Sequence, residues 1–273
     1  MSSRHWGTHG IDMTAHRVIK RFASGSDGRA AREWRGLTLL AAHAPGLAPE
    51  PYEADLAAER PFVVMSRLTG EPLRGTVMGN QQLDALAEAV TALHNAVPPH
   101  ALRTVPSRPV LPPDLVRLIN AWAVDGPSSR TGGPVGQAMD TGLRWLAGTR
   151  LHAEDPQDFP DVFGPGDGNL ANYLWDGSRV QVVDFEDSGR SDRAYELAEI
   201  TEHVGSWVEQ PVDVAGFLAR FELSPAETAR LRECRRLLAL VWLFLLAQDD
   251  PDHPRNPVGT AEKQAVRLLE LLG

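Results

Sequence analysis

The chain has 273 residues and a hydrophobic content of 42%, enough to bury the core of one two-lobed unit or of two small domains. Its formal net charge of −9 argues against a nucleic-acid partner bound through phosphates and favours a cationic or neutral ligand. The single cysteine, Cys234, excludes an intramolecular disulfide and a metal site built from several cysteines.

The first part of the chain has the pattern of a small α/β unit. Residues 16–22 alternate loosely, which predicts a strand, and a Gly- and Ser-rich break follows. Asp27 is expected to cap a helix over residues 29–43, where apolar residues recur at helical spacing. Residues 51–56 and 61–68 are predicted to pair as the two strands of a hairpin.

Helical patterns dominate after a predicted hinge at residues 69–72. An amphipathic helix is predicted over residues 81–97, because its apolar residues lie three and four positions apart. The proline-rich stretch 98–113 is expected to be an ordered surface loop. Two further helices are predicted around residues 114–124 and 136–147.

The chain from Ala194 onward is predicted to be mostly helical, with a buried helix over residues 227–248 that contains Cys234. The apolar run 237–247 is too short to cross a bilayer, which needs ~20 residues. Residues 1–6 contain no apolar signal core. We therefore expect a cytoplasmic protein with no membrane partner.

The most informative pattern is the segment 163–175 together with the apolar pair that precedes Asp184. In a kinase-like fold, an Asp, an Asn five positions later and a second Asp after a short apolar strand bring together an acceptor-orienting carboxylate and two Mg²⁺ ligands. Asp167, Asn172 and Asp184 fit this order. An isolated Asp-Gly-Asn run is also typical of an ordinary turn, because Gly and Asn tolerate positive φ.

This pattern resembles the aminoglycoside phosphotransferase and choline kinase family, whose loop usually runs His-Gly-Asp, four variable residues and Asn, followed by an apolar pair and Asp. Gly166, Asp167, Asn172 and Asp184 stand at the family spacing, whereas Pro165 stands where the family has His. The substitution affects the internal support of the loop, since the family's His acts mainly through hydrogen bonds that hold the loop.

The resemblance extends from about residue 18 to residue 203 and implies an α+β, two-lobed protein-kinase-like fold. Residues 1–70 would form a small β-rich nucleotide-binding lobe, and residues 71–273 a larger, mostly helical lobe with the catalytic loop and the acceptor site. The implied activity is transfer of the γ-phosphate of ATP to a hydroxyl of a small molecule. Aminoglycoside-like antibiotics, amino alcohols and biosynthetic intermediates are the candidate acceptors.

Three residues have catalytic roles by this resemblance. Asp167 would orient and deprotonate the attacking hydroxyl, while Asn172 and Asp184 would hold Mg²⁺. Phosphoryl transfer in such a site depends on positioning and charge neutralisation, so the protein supplies little covalent chemistry.

The resemblance also assigns Lys20 to the phosphates of ATP and Glu33 to the ion pair that positions this lysine. Without the other motifs, a strand Lys followed by a helix Glu is a common surface pair. Glu50 and Glu53 are also within reach of Lys20 in sequence and stay as alternatives to Glu33.

The strand that ends near Gly70 resembles the segment that joins the two lobes in the family. The Ser66 carbonyl and the Leu68 amide would then bind the adenine edge, with Met65 against the ring. The same residues are equally compatible with an ordinary edge strand. No glycine-rich nucleotide motif occurs in the chain, and Gly7 and Gly10 would have to supply the tight turn that covers the phosphates.

An acidic stretch follows the second aspartate and marks the expected acceptor site. The carboxylates assigned to the substrate are Glu186, Asp187, Asp192 and Glu196. Glu199 and Glu202 lie one turn apart and either extend this patch or form a solvated helix face. A substrate with at least one amine is favoured on these grounds.

The histidines have mainly structural interpretations. His94 matches a family Leu-His pair and is expected to pack beneath the catalytic loop. Residues 152–155 have a spacing that suits a metal, but no third ligand is indicated. His203 is expected to be a satisfied helix histidine, and the Gly-x-Ser-x-Gly motif of hydrolases is absent.

Two alternatives to a small-molecule kinase stay open at this point. Pro165 and the short segment before Lys20 are compatible with a catalytically silent kinase-like binding module. A kinase that acts on a protein or on a sugar intermediate is also compatible with the sequence.

Overall fold

The computed structural model describes residues 10–25, 27–125, 132–152, 159–250 and 253–273. The strands are β1 (Gly10–Met13), β2 (Arg17–Arg21), β3 (Pro51–Asp55), β4 (Phe62–Ser66), β5 (Glu71–Pro72), β6 (Asp161–Gly164), β7 (Tyr173–Trp175), β8 (Val180–Val182) and β9 (Gly189–Asp192). The helices are α1 (Arg29–His43), α2 (Asn80–Ala96), α3 (Pro99–Leu102), α4 (Pro112–Asp125), α5 (Gly133–Leu146), α6 (Arg193–Glu202), α7 (Val214–Leu218), α8 (Pro225–Ala247) and α9 (Thr260–Leu272).

The first four strands form an antiparallel sheet in the order β1-β2-β4-β3. The predicted pairing of β3 with β4 is confirmed. Helix α1 contacts β3 and β4, and Leu37, Leu40 and Val63 are buried at this interface. Lys20 lies on β2, where Val63 of β4 is its partner in the register. Its backbone is therefore held by strands on both sides.

Two details of this region differ from the expectation. Asp27 does not cap α1, because the helix begins after Gly28, which has a φ of 75° and provides no side-chain hydrogen bond. Gly10 does not form a tight turn, because it is the first residue of β1 and pairs with Arg21. The turn between β1 and β2 instead uses the Thr14 hydroxyl, which accepts a hydrogen bond from the backbone N–H of Arg17.

The second part of the structure combines two small sheets with helices. Strand β5 pairs with β7 and β7 pairs with β8, so the last two residues of the predicted hinge are themselves a strand of this sheet. Strand β6 pairs with β9, which places the start of the catalytic loop beside the segment that follows Asp184. The lobe boundary at residue 70 stays a prediction.

Helices α5, α6, α8 and α9 form the packed body of the helical part. The predicted helix at 227–248 is confirmed as α8, which starts at a capping box between Ser224 and Glu227. Cys234 is completely buried within it. Among the described residues, no helix combines the length and the apolar character that a membrane span requires.

Candidate active site

The predicted catalytic loop, which lies in the segment 163–175, is organised around the carboxylate of Asp167. One oxygen accepts the backbone N–H of Asn169 at 2.9 Å, and the other accepts the side-chain amide N–H of Asn172 at 3.0 Å. The backbone N–H of Asn172 donates to the carbonyl of Asn169, which closes a short 3-10 turn at Leu170–Asn172. The Asp and the Asn identified by their spacing are therefore in direct contact.

The glycines of this loop are required for two different reasons. Gly166 has a φ of 86°, a left-handed conformation that favours glycine, and a Cβ there would overlap the backbone of Asp187. Gly168 has no such φ, but a Cβ would overlap the backbone of Glu199 on α6. The loop thus lies directly on the segment after Asp184 and on α6.

The environment of Asp167 suits a proton-accepting role. Desolvation raises the pKa of Asp167 to about 6, the hydrogen bond from Asn169 opposes the shift, and the charges of Asp184 and Glu199 add to it. The side chain is still 39% exposed, which leaves access for an incoming hydroxyl. A carboxylate with a pKa near neutrality is a better proton acceptor than an ordinary Asp.

Lys20 lies at the centre of three carboxylates. Its ammonium nitrogen is 3.0 Å from Glu33, 2.6 Å from Asp184 and 2.8 Å from Glu186. Burial by itself lowers the pKa of Lys20, but the three charges together raise it above its ordinary value. The lysine is therefore a fixed positive charge in the cleft.

Glu33 joins three parts of the site. One oxygen of its completely buried carboxylate accepts both the ammonium of Lys20 and the backbone N–H of Phe185 at 2.9 Å. The alternatives Glu50 and Glu53 are exposed. The structure thus selects Glu33 as the partner of Lys20 and connects α1 to the segment that carries Asp184.

The residues predicted to hold Mg²⁺ lie side by side. The backbone N–H of Val183 donates to the carbonyl of Asn172 at 2.9 Å, so Asp184 follows directly beside Asn172. Asp184 has a φ of 71°, a left-handed conformation that Asp adopts more readily than most residues. Carboxylate and amide oxygens are the donors that Mg²⁺ prefers, so these two residues fit the ion.

Glu33, Asp184 and Glu186 also lie close enough to share a cation, the only such acidic group within the described ranges. The ammonium of Lys20 contacts all three, so it already supplies the positive charge at their centre. Asn172 and Asp184 therefore stay the predicted metal ligands.

The four carboxylates predicted for the acceptor do not form one open patch. Glu186 contacts Lys20 and Arg29, and Asp192 is the N-cap of α6 and pairs with Arg230 at 2.7 Å. Glu196 is 2% exposed and pairs with a buried arginine. The side chain of Asp187 is 37% exposed, and its ion pair within the described residues is a 3.6 Å contact with Arg32.

The interpretation of Glu199 and Glu202 as a solvated helix face is wrong. The carboxylate of Glu199 pairs with Arg108 at 3.0 Å, and Glu202 is completely buried between Arg235 and Arg267. Both face the protein interior because α6 is packed on one side by the catalytic loop and on the other by α8. They do not extend the acceptor patch.

Two residues lie near the catalytic loop although the sequence did not place them there: Arg108 was not singled out, and His203 was expected only as a satisfied helix histidine. Arg108 comes from the proline-rich loop, is 5% exposed and reaches the catalytic loop backbone. His203 is buried, and its Nε2 lies 3.8 Å from Asp167 while its Nδ1 accepts the backbone N–H of Gly205. Burial lowers the pKa of His203 to about 3, so it is neutral and presents an N–H toward Asp167.

His94 is buried on α2 close to Glu196, in the structural position that the sequence indicates. Burial lowers its pKa from 6.5 to about 4, and the charge of Glu196 opposes the shift. The folded protein therefore takes up this proton less readily than the unfolded chain. The resulting stability is present above pH 6.5 and is lost as the pH falls toward 4.

We expect His94→Gln, which cannot become charged, to reduce the fall in Tm between about pH 7 and pH 5. Scanning calorimetry at both pH values measures this fall. His253→Gln changes an exposed histidine and should leave the fall unchanged. An identical pH dependence in wild type and His94→Gln would show that protonation of His94 does not limit stability.

The nucleotide residues on the predicted lobe-connecting segment lie at the end of β4. Met65 is buried, Ser66 is the last residue of the strand, and Leu68 follows two positions later. Their assignment to adenine stays a prediction. Gly7 and residues 153–155 lie outside the described residues.

Comparison with known proteins gives the family. The family model described as the phosphotransferase enzyme family (APH) matches residues 6–234. Comparison with curated protein sequences finds no significant match.

Several solved structures share the fold. A choline/ethanolamine kinase family protein from Mesorhizobium loti superposes with a TM-score of 0.62 at 18% identity, covering 96% of this chain and 84% of that one. The GDP complex of aminoglycoside 2'-phosphotransferase-IIIa gives 0.64 at 16% identity, covering 97% and 87%. The amicoumacin kinase hAmiN, in complex with AMP-PNP, Ca²⁺ and Ami, gives 0.66 at 13% identity, with the same coverage.

These likenesses confirm the α+β kinase-like fold. With the family match over most of its length, the chain belongs to the phosphotransferase enzyme family that includes aminoglycoside phosphotransferases and choline kinases.

Proposed function

We propose that the protein transfers the γ-phosphate of ATP to a hydroxyl group of a small molecule, with Mg²⁺ as the metal. The observation that carries this proposal is the contact of Lys20 with Asp184 at 2.6 Å. It brings the lysine that we assign to the phosphates together with a proposed metal ligand, and the charge of Asp184 is also felt by Asp167. Nucleotide, metal and hydroxyl would therefore meet at one place.

Each group has a task that its environment supports. Asp167 orients the acceptor hydroxyl and accepts its proton, aided by the raised pKa of its carboxylate. Lys20 stays charged and neutralises the transferred phosphoryl group. Asn172 and Asp184 would hold Mg²⁺, which supplies further neutralisation of the phosphate oxygens when bound. Asn172 also fixes the rotamer of Asp167 through its amide.

The proposal is tested by screening nucleotide consumption against hydroxylated compounds. The panel contains aminoglycosides, hygromycin B, amicoumacin, choline and ethanolamine, each with ATP or GTP and Mg²⁺. Acceptor-dependent release of nucleoside diphosphate by the wild type, absent in Asp167→Asn, supports a kinase. Nucleotide binding without turnover of any acceptor would instead favour the silent binding module that Pro165 suggests.

Within the acceptor site, we propose Asp187 as the carboxylate that attracts a substrate amine. Glu186, Asp192 and Glu196 have cationic partners within 3 Å, whereas the ion pair of Asp187 in the described part of the chain is longer, at 3.6 Å. Its backbone also abuts Gly166, so it lies beside the catalytic aspartate. A resistance role and a biosynthetic role are both compatible with this site, and a cytoplasmic location is our expectation.

Asp187→Asn should raise the KM for an aminated acceptor several-fold and leave the KM for ATP nearly unchanged. The wild-type KM should also rise with salt, because the screening length is about 8 Å at physiological ionic strength. Asp192→Asn is the matched control, and it should lower Tm without changing the acceptor KM, since it weakens the pair with Arg230. An unchanged, salt-independent KM in Asp187→Asn would show that this carboxylate is only a surface group.

A further inference from the structure

Arg108 makes a set of contacts that no sequence motif indicates. Its guanidinium donates to Glu196 at 2.7 Å, to Glu199 at 3.0 Å and to the backbone carbonyl of Gly166 at 2.8 Å. It also stacks over the ring of Tyr195 with 4.6 Å between the guanidinium carbon and the ring centroid. One buried side chain therefore joins α6 to the residue directly before the catalytic aspartate.

The backbone of Arg108 is fixed as firmly as its side chain. Its N–H donates to the carbonyl of Arg190 at 3.1 Å, and the N–H of Arg190 donates to the carbonyl of Pro106 at 2.9 Å. The loop thus adds to the outer edge of β9. Gly189 allows this approach, because a Cβ there would overlap the backbone of Ser107 and Arg108. These backbone hydrogen bonds fix the position from which the Arg108 side chain extends.

Pro165 limits the hydrogen bonds that the catalytic loop itself can make at this position. Pro165 has no backbone N–H and no hydrogen-bonding side chain, so this position cannot donate to a neighbouring carboxylate. Glu196 lies directly against Gly164, and its carboxylate instead accepts from Arg108. The same guanidinium then binds the carbonyl of Gly166 on the other side of the proline.

We propose that Arg108 is a positioning residue for phosphoryl transfer, which holds Gly166 and thereby aims the carboxylate of Asp167. Its two terminal nitrogens serve three acceptors, a geometry that the planar fork of arginine provides and a lysine ammonium does not. This role rests on the proposed function, but the loop geometry that it predicts can be measured without turnover.

The test compares Arg108→Gln and Arg108→Lys with Arg235→Gln, which removes an arginine that binds the buried Glu202 at the C-terminal end of α6. We expect both Arg108 variants to lose about 100-fold in kcat, as for a displacement of about 1 Å, with the KM for ATP nearly unchanged. Arg235→Gln should lower Tm to a similar extent and keep kcat within a few-fold.

Hydrogen exchange supplies the readout that needs no substrate. The N–H of Asn169 and the N–H of Asn172 are bonded within the loop, so their exchange reports its order. They should exchange faster in Arg108→Gln than in Arg235→Gln at equal global stability. Equal exchange in the two variants, or full kcat in Arg108→Lys, would overturn the positioning role. Absence of turnover in the wild type would contradict the proposed function. The exchange result would then decide whether Arg108 positions the loop.

Discussion

Replacement of Asp167 by asparagine is expected to lower kcat by orders of magnitude while nucleotide affinity stays nearly unchanged. The asparagine can still accept the N–H of Asn169 through its one amide oxygen, but its NH2 group cannot accept the amide of Asn172. It also loses the ability to accept a proton from the acceptor hydroxyl. Steady-state kinetics together with calorimetric titration of the nucleotide separates the two effects.

Asp176→Asn is a matched control, because Asp176 organises the exposed turn between β7 and β8 away from the cleft. This variant should retain full kcat. If Asp167→Asn turned over as fast as the wild type, the assignment of Asp167 as the acceptor-orienting group would be wrong.

Asp184→Asn is expected to abolish the Mg²⁺-dependent part of nucleotide binding. The substitution removes a charged ligand, but Asn tolerates the φ of 71° that this position requires. It also removes one of the three charges around Lys20, which should then bind phosphate more freely without metal. Calorimetric titration of ATP with and without Mg²⁺ measures both changes.

His152→Ala serves as the control for metal binding, since residues 152–155 are the alternative metal motif in the sequence. It should bind nucleotide like the wild type at every Mg²⁺ concentration. Loss of the Mg²⁺ dependence in His152→Ala, with a normal response in Asp184→Asn, would move the metal site to that segment.

The catalytic core is predictable from sequence because its contacts depend on short, fixed spacings. Asp167 and Asn172 are five positions apart in one loop and bond directly. The pair of Lys20 with Glu33 is also confirmed, although sequence alone left two other glutamates open. These residues occur in the order found in the family, and the kinase-like fold was predicted from that match.

The ion-pair partners of the carboxylates predicted for the acceptor site could not be predicted from short spacings. Glu196 lies 88 positions from its partner Arg108, and Asp192 lies 38 positions from Arg230. Only the folded chain brings these charges together, so an acidic stretch in sequence becomes a set of internal ion pairs. The burial of Glu199 and Glu202 follows from the same packing of α6 between the catalytic loop and α8.

The structural role of each glycine could not be predicted from its residue type alone. Gly166 is needed for its positive φ, whereas Gly168 is needed for the close approach of α6. Gly10 has neither role, because it is part of β1. The same residue type thus has three structural contexts within one chain, and spacing alone does not separate them.

The most direct test of the proposed function is to identify the phosphorylated product. The protein is incubated with ATP, Mg²⁺ and the acceptor panel, and the acceptors are analysed by mass spectrometry. We predict that an acceptor gains one phosphoryl group at a hydroxyl, in equal amount to the ADP released, and that Asp167→Asn forms none. Tight nucleotide binding with no phosphorylated acceptor, or equal product from Asp167→Asn, would contradict the proposal.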